Sequence, residues 1–203
     1  YDAIRQPNAE ELRLVNGMLD AWTQREPQMR ESLGLTKWID GLSGRESLMQ
    51  YLFNTSLNID GIWGGYSGPG TKTILPHIAT AKLDTRLVPN QTPEEAMRLI
   101  RQHLDRNGFT DIEMRRLGGY PPAQTSVEAP LVRAAIGTYR KYGFTPSVAP
   151  RLAGSAPYYV FTERLQLPMV AGGLGLGAGA HAPNEYMVIE PKPGSKVAGL
   201  ADV

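Results

Sequence analysis

The 203-residue chain contains no cysteine. That absence excludes disulfides, thiolate zinc sites and cysteine nucleophiles together. Histidine is scarce, with three residues, so any imidazole chemistry rests on His77, His103 or His181. No apolar run approaches the ~18 residues of a membrane span. Charge of either sign is also lacking in excess: 21 basic against 20 acidic residues leave +1. Lysine and arginine are scattered apart from "MRR" at 114–116, so no electrostatic footprint points to nucleic acid. No H-E-x-x-H, G-x-S-x-G or P-loop pattern occurs. Internal repeats and low-complexity tracts are absent as well. These features fit a cytoplasmic globular protein with no nucleic-acid or membrane partner. The length suits one large domain or two small ones. The chain opens "YDAIRQP", without initiator Met or signal-peptide pattern, and ends "KVAGLADV", like a helix cut short. The expectation is part of a longer protein, and a processed or nicked chain would look the same.

What is present begins with a helix predicted over 8–23. Asn8 and Glu11 form a capping box, and Leu12, Val15, Leu19 and Trp22 follow at helical spacing. A second helix is predicted from Ser43 to Phe53, burying Leu48, Tyr51 and Leu52. The segment between reads as loop or short helix, with Trp38 and Ile39 buried. From Ser56 the period becomes two, and Leu57, Ile59 and Ile62 mark a strand. The glycine-rich turn "SGPGTKT" leads into a longer strand, "ILPHIATAKLDTRLVP". There Ala79, Ala81, Leu83, Thr85 and Leu87 share one face, and Thr80, Lys82, Asp84 and Arg86 the other. "NQTPEE" opens the clearest helix: Thr92 caps, Pro93 takes the first position and Glu95 closes a capping box. Met97, Ile100 and Leu104 form its stripe, and Asn107–Gly108 end it. "DIEMRRLGG" reads as a returning strand. The prolines and glycines of "GGYPPAQT" (118–125) mark the best internal boundary. Beyond it come a helix over Pro130–Tyr142, a strand near Ser147–Pro150, a helix or turn over Ala156–Leu165 and a strand "MVAGGLG". Mixed elements in two groups indicate an α/β architecture with two layers.

Three candidate sites stand out. Gly175, Gly177 and Ala180 match G-x-G-x-x-A after an apolar strand, but a dinucleotide loop needs a helix to start there, and "HAPNEY" with Pro183 follows instead. His181, in a loop whose glycines let the backbone pass close, suits one metal coordination position. A histidine with no special role would read the same way, and one ligand does not complete a zinc site. His77 and His103 read as packing and solvent-facing residues. Lys82 and Arg86 share a strand face that is either solvated or, through the Arg86 guanidinium fork, a clamp for a substrate carboxylate.

Three segments, in this order and spacing, resemble one family: "GIWGGYSGPGTKTILPHIATAKLDTRLVPNQTPEEA" (61–96), "GSAPYYV" (154–160) and "GAGAHAPNEYM" (177–187). They look like the co-catalytic zinc metallopeptidases that include carnosinases, carboxypeptidase G, succinyl-diaminopimelate desuccinylases and aminoacylases. The resemblance runs from about residue 56 to the end. It implies an α/β protein: an α+β lid, whose two-layer sheet carries helices on one face, plus part of an α/β zinc-peptidase catalytic domain. Residues 1–119 would be the later part of a lid that dimerises, and 120–203 the last part of the catalytic domain. The upstream catalytic half, absent from this chain, would supply a histidine, a bridging aspartate, further carboxylates and a glutamate general base.

By the same resemblance His181 corresponds to the family's last metal ligand. Arg86 corresponds to an arginine that binds substrate carboxylate, Thr73 to a lid threonine near substrate, and Gly154 and Ser155 to the "G-G-S" loop at the substrate. Glu185 corresponds to the glutamate of the family's "PNE", a supporting group behind the ligands. The implied cofactors are two zinc ions, with cobalt or manganese as substitutes. The implied substrate is a small peptide or N-acyl amino acid, and the implied partners are a second copy and the upstream part of the same protein. The reaction would be amide hydrolysis by metal-activated water. Two departures bear on substrate recognition: Leu152 and Ala153 stand where the family often has an acidic residue and a glycine, and no histidine occurs near "AQTSVEAP". The alternative is a lid and dimerisation module that is inactive alone.

Overall fold

The computed structural model describes residues 4–173 and 176–193. Gly175 of the G-x-G-x-x-A match, the end of "MVAGGLG" and the helix opening expected at 196–203 lie outside the described residues. The chain forms two compact units, Tyr1–Met169 and Val170–Val203.

The first unit opens on helix α1, Ala9–Ser32. Its start is the capping box: Asn8 Oδ1 accepts from Glu11 N–H at 2.9 Å, and Asn8 N–H donates to Glu11 Oε2 at 2.8 Å. These bonds satisfy two donors that a helix start otherwise leaves orphaned. The helix runs nine residues beyond its predicted end and through Pro27. Local sequence argues for a stop there, but tertiary contact overrides it. Just before the proline, the buried Glu26 carboxylate accepts from Trp38 Nε1 at 2.7 Å, Gly44 N–H at 2.9 Å and Ser47 Oγ at 2.7 Å. Those bonds tie α1 to helix α2, Gly44–Phe53. Burial pushes the Glu26 carboxyl up, but the bonds from Gly44, Ser47 and Trp38 and the Arg30 charge outweigh it and hold it below its ordinary value.

The core lies between these two helices. Val15, Leu48, Leu52 and Phe53 are buried, and Met18, Leu19, Trp22 and Met49 pack around them. Tyr51 differs from the sequence expectation: it stays 48% exposed because it stacks on Trp22 at the rim, with ring centroids 5.4 Å apart. Trp38 is half-buried, held by its bond to Glu26, whereas Ile39 is exposed. Ile39 begins a short 3-10 turn, Ile39–Gly41, in which Asp40 is left-handed at φ 55°.

Strands β1, Ser56–Gly64, and β2, Ala79–Arg86, form an antiparallel two-stranded sheet. The register shifts between Ile59 and Gly61, leaving Asp60 as an extra bulged residue. The bulge explains the uneven spacing of the apolar residues. Ile59 and Ile62 are three apart, yet they face the same way because Asp60 resets the alternation. Leu57, Ile59 and Ile62 therefore share a face with Ala79, Ala81, Leu83 and Thr85. The other face carries Trp63, Lys82, Asp84 and Arg86, with the Lys82 ammonium 5.7 Å from the Trp63 ring centroid. The second strand is shorter than predicted, since residues 74–78 carry no ladder.

Helix α3, Pro93–Arg106, starts as predicted, with Thr92 Oγ1 accepting from Glu95 N–H at 3.1 Å. Glu95 does not complete the box; its carboxylate lies 3.6 Å from Arg98. Helix α4, Pro130–Lys141, follows. All three long helices stop alike. A left-handed glycine (Gly34, Gly108, Gly143) follows the last turn. The next residue then donates back across that turn: Leu35 to Arg30, Phe109 to Leu104 and Phe144 to Tyr139.

Three predicted strands are not strands among the described residues: 111–119, 147–150 and 169–173. A strand needs a ladder partner, and these segments find other ones. Arg101 takes the carbonyls of Phe109 and Ile112 at 2.6 and 2.5 Å. Arg116 takes those of Gly118 and Gly119. A π-helical turn, Val160–Arg164, fulfils the helix or turn expected over 156–165. The architecture is thus mixed helix and strand, a small antiparallel sheet with helices. No helix of the described residues is long and apolar enough to cross a membrane.

The second unit is a hairpin of β3, Gly177–Ala178, and β4, Tyr186–Met187. Val188 N–H extends it by donating to Leu176 O at 2.8 Å.

Candidate functional site

His181 sits in the turn between β3 and β4, exposed, with φ 64°. Left-handed backbone is uncommon outside glycine, and asparagine and histidine are among the residues that tolerate it. Here Gly179 (φ 79°), His181 and Asn184 (φ 63°) share it within six residues, and Ala182 N–H closes the turn on Gly179 O at 2.9 Å. The glycines have a steric reason. A Cβ on Gly177 would lie 2.6 Å from the Tyr186 carbonyl oxygen, which is backbone and cannot swing away. A side chain at 177 would therefore force this backbone pair apart, and the hairpin carries His181 and Glu185 on its turn. Among the described residues no helix begins at this loop, so the phosphate-cradle reading has no structural support. Among the described residues no three His, Asp or Glu side chains come together to hold a metal ion. His181 offers one exposed imidazole, which fits a single coordination position.

We expect Gly177→Ala to separate the strands and loosen the turn that carries His181. Faster amide exchange at Val188, whose N–H donates to Leu176 O, would report it, and unchanged exchange would show that the hairpin tolerates a side chain there.

In the first unit, Arg86 ends β2 on the polar face, in register with Ser56. Its side chain is 46% exposed and its Nε donates to Asp84 Oδ1 at 2.6 Å. That ion pair engages Nε, and the side chain remains half-exposed. Thr73 is exposed in the connection between β1 and β2, so the hairpin places it at the end opposite Arg86 and does not bring the two together. The same connection is shaped by Tyr66, whose hydroxyl donates to Pro69 O at 2.9 Å, and by Lys72, 5.4 Å from the Tyr66 ring centroid.

Gly154 and Ser155 lie exposed in an irregular loop after Arg151. Ser155 Oγ is 2.8 Å from Tyr120 Oη, and Tyr120 stacks on Tyr159 at 5.7 Å. At the loop's other end is a buried charged cluster the sequence did not reveal. Glu11 Oε1 accepts from Arg5 at 2.7 Å, Gln124 at 2.8 Å and Arg151 at 3.2 Å. Burial pushes the Glu11 carboxyl up; the bonds from Arg5, Gln124 and Asn8 and the Arg151 charge overcome this and bring it down to about 2.

A carboxyl depressed in the folded state stabilises the fold above its unfolded value, and that contribution disappears as pH falls through the folded value. The stability difference between wild type and Glu11→Gln is therefore expected to be full above about pH 4.5 and to shrink toward pH 2. Melting temperatures of both across that range measure it, and a pH-independent difference would mean the charge is not what stabilises.

The chain belongs to the M20 peptidase family: residues 5–111 match the model of its peptidase dimerisation domain. The Beta-Ala-His dipeptidase of Rattus norvegicus is 29% identical over 196 residues, covering 85% of this chain and 39% of the relative. A Cys-Gly metallodipeptidase of Schizosaccharomyces pombe is 29% identical over 143 residues, covering 66% and 30%. Among solved structures, an M20 family metallo-carboxypeptidase from Sulfolobus solfataricus superposes with a TM-score of 0.76 at 34% identity, covering 91% of this chain and 42% of that one. The chain thus spans less than half the length of each of these relatives.

Proposed function

We propose that the complete protein carrying this chain is a zinc-dependent amide hydrolase acting on a dipeptide, another small peptide or an N-acyl amino acid. The observation that carries this is the superposition on the metallo-carboxypeptidase over 91% of the chain. It extends well past residue 111, where the match to the dimerisation-domain model stops. In this reading residues 1–119 are the later part of the dimerising domain and 120–203 the last part of the catalytic domain. His181 holds one metal ion through its imidazole, and Glu185 supports the turn that presents it. A zinc pair, when bound, supplies acidified water for attack on the amide and polarises its carbonyl. Arg86 binds the substrate's free carboxylate and fixes its orientation. Thr73, Gly154 and Ser155 contact substrate. The general base and remaining ligands come from chain upstream, and a second copy pairs through residues 5–111.

The test is metal analysis of the complete protein together with a screen of dipeptides and N-acyl amino acids. Stoichiometric zinc with hydrolysis abolished by a chelator supports the reading, and metal-independent hydrolysis would sink it. A second reading, a pairing module without catalysis, is favoured by the match over 5–111. It predicts a complete protein that dimerises, holds no metal and cleaves none of these substrates.

A further inference from the structure

We propose that Glu11 is a positioning residue for the loop 152–155, acting through Arg151. The proposal rests on the reading of Gly154 and Ser155 as substrate contacts.

Residues 152–155 are exposed and without regular structure, so the loop is placed mainly by what grips its ends. At one end Tyr120 Oη meets Ser155 Oγ at 2.8 Å. At the other, Gln124 Nε2 reaches Pro150 O at 3.4 Å and Arg151 Nη2 reaches Glu11 at 3.2 Å. Segment 120–124 thus touches both ends, and Glu11 binds Gln124 as well as Arg151. The Arg151 side chain is 6% exposed, lies with its Cζ 4.6 Å from the Phe53 ring centroid, and leaves Nε and Nη1 buried without partners. Its ion-pair partner is Glu11, which is itself only 4% exposed and is shared with Arg5 at 2.7 Å. A buried ion pair is an inefficient way to gain stability, because desolvation offsets most of the attraction. It is an efficient way to hold one geometry, since removing one partner leaves the other charge uncompensated and forces it to move. Arg151 immediately precedes the loop, so its displacement is transmitted to Ser155. The sequence gives Glu11 a local capping role, and the structure adds this distant one.

The test is steady-state kinetics on the complete protein, normalised to folded, metal-loaded enzyme, with the best substrate from the screen. Glu11→Gln should raise KM about 10-fold with kcat within about 2-fold, a fraction of what a 1 Å misplacement can cost. The decisive readout is the cycle with Ser155→Ala. In that background Glu11→Gln should add nothing to KM, whereas a purely structural role would lower stability in both backgrounds and leave KM alone. Should Glu11→Gln fail to fold, Arg151→Lys keeps the charge against Glu11 but loses the planar fork. It should raise KM about 3-fold and be equally silent on Ser155→Ala, consistent with loss of one charged hydrogen bond in part. An unchanged KM in the Glu11 or Arg151 variant, or fold-changes that multiply in the cycle, overturns the positioning role while leaving Ser155 in place. An unchanged KM for Ser155→Ala alone overturns the substrate reading of Ser155 and this proposal with it.

Discussion

Replacing His181 in the complete protein is expected to empty one metal position and to lower kcat/KM by more than about 100-fold, beyond the 10–100-fold typical of losing a group that only supports a ligand. The imidazole stands exposed on a turn that the hairpin holds in place, and the nearest carboxylate along the same turn belongs to Glu185. Alanine is a flawed probe, however, because φ is 64° at this position. A side chain with Cβ and no compensating local hydrogen bond costs about 1 kcal/mol or more there, so His181→Ala confounds ligand loss with turn strain. Asparagine separates the two: it tolerates left-handed backbone but lacks the imidazole. His181→Asn and His181→Ala should therefore lose metal and activity alike, with only the alanine variant also loosening the hairpin. An asparagine variant that retained full metal content and full activity would remove His181 from the metal site.

What the sequence disclosed about this fold was local. Asn8 with Glu11, Thr92 with Pro93, and Gly108 after Asn107 act within one helical turn, where neighbouring residues decide the outcome. The two main strands were legible for the same reason, although the bulge at Asp60 was visible only as an apolar spacing of three where two belonged. Non-local facts were not legible. Helix α1 passes Pro27 because Glu26 is bound by Trp38, Gly44 and Ser47 from another part of the chain. The segment 111–119 has the composition of a strand, but its arginine-held carbonyls find no ladder. Glu11 read as a cap, and its partner Arg151 lies 140 residues away. Of the site residues, only resemblance to a family singled out Ser155 and Gly154, because nothing in the spacing of "RLAGS" marks a loop as a binding element. The bonds from Tyr120 and Arg151 supply the physical reason that this loop has a defined position.

Arg86→Ala is expected to cost about 2–3 kcal/mol in kcat/KM on substrates with a free carboxylate, the worth of a charge-assisted hydrogen bond, or about 30- to 150-fold. The direction follows from how the side chain is held. Asp84 binds Nε at 2.6 Å, and the side chain is 46% exposed on the polar face of the sheet, so its fork is accessible to a carboxylate. Two neighbouring variants decide whether the fork or only the charge matters. Arg86→Lys retains the charge but cannot pair in two directions with a carboxylate, and it should recover only a small part of the loss. Asp84→Asn leaves the guanidinium intact but removes the charge that orients it, and it should raise KM by a smaller factor than Arg86→Ala. The matching control lies in the substrate. For an analogue whose carboxylate is amidated, wild type should fall to the level of Arg86→Ala, and the variant should show no further loss. Equal penalties for Arg86→Ala on the free acid and on the amide would show that Arg86 does not contact the carboxylate, and would return it to the solvated face that its half-exposed position equally allows.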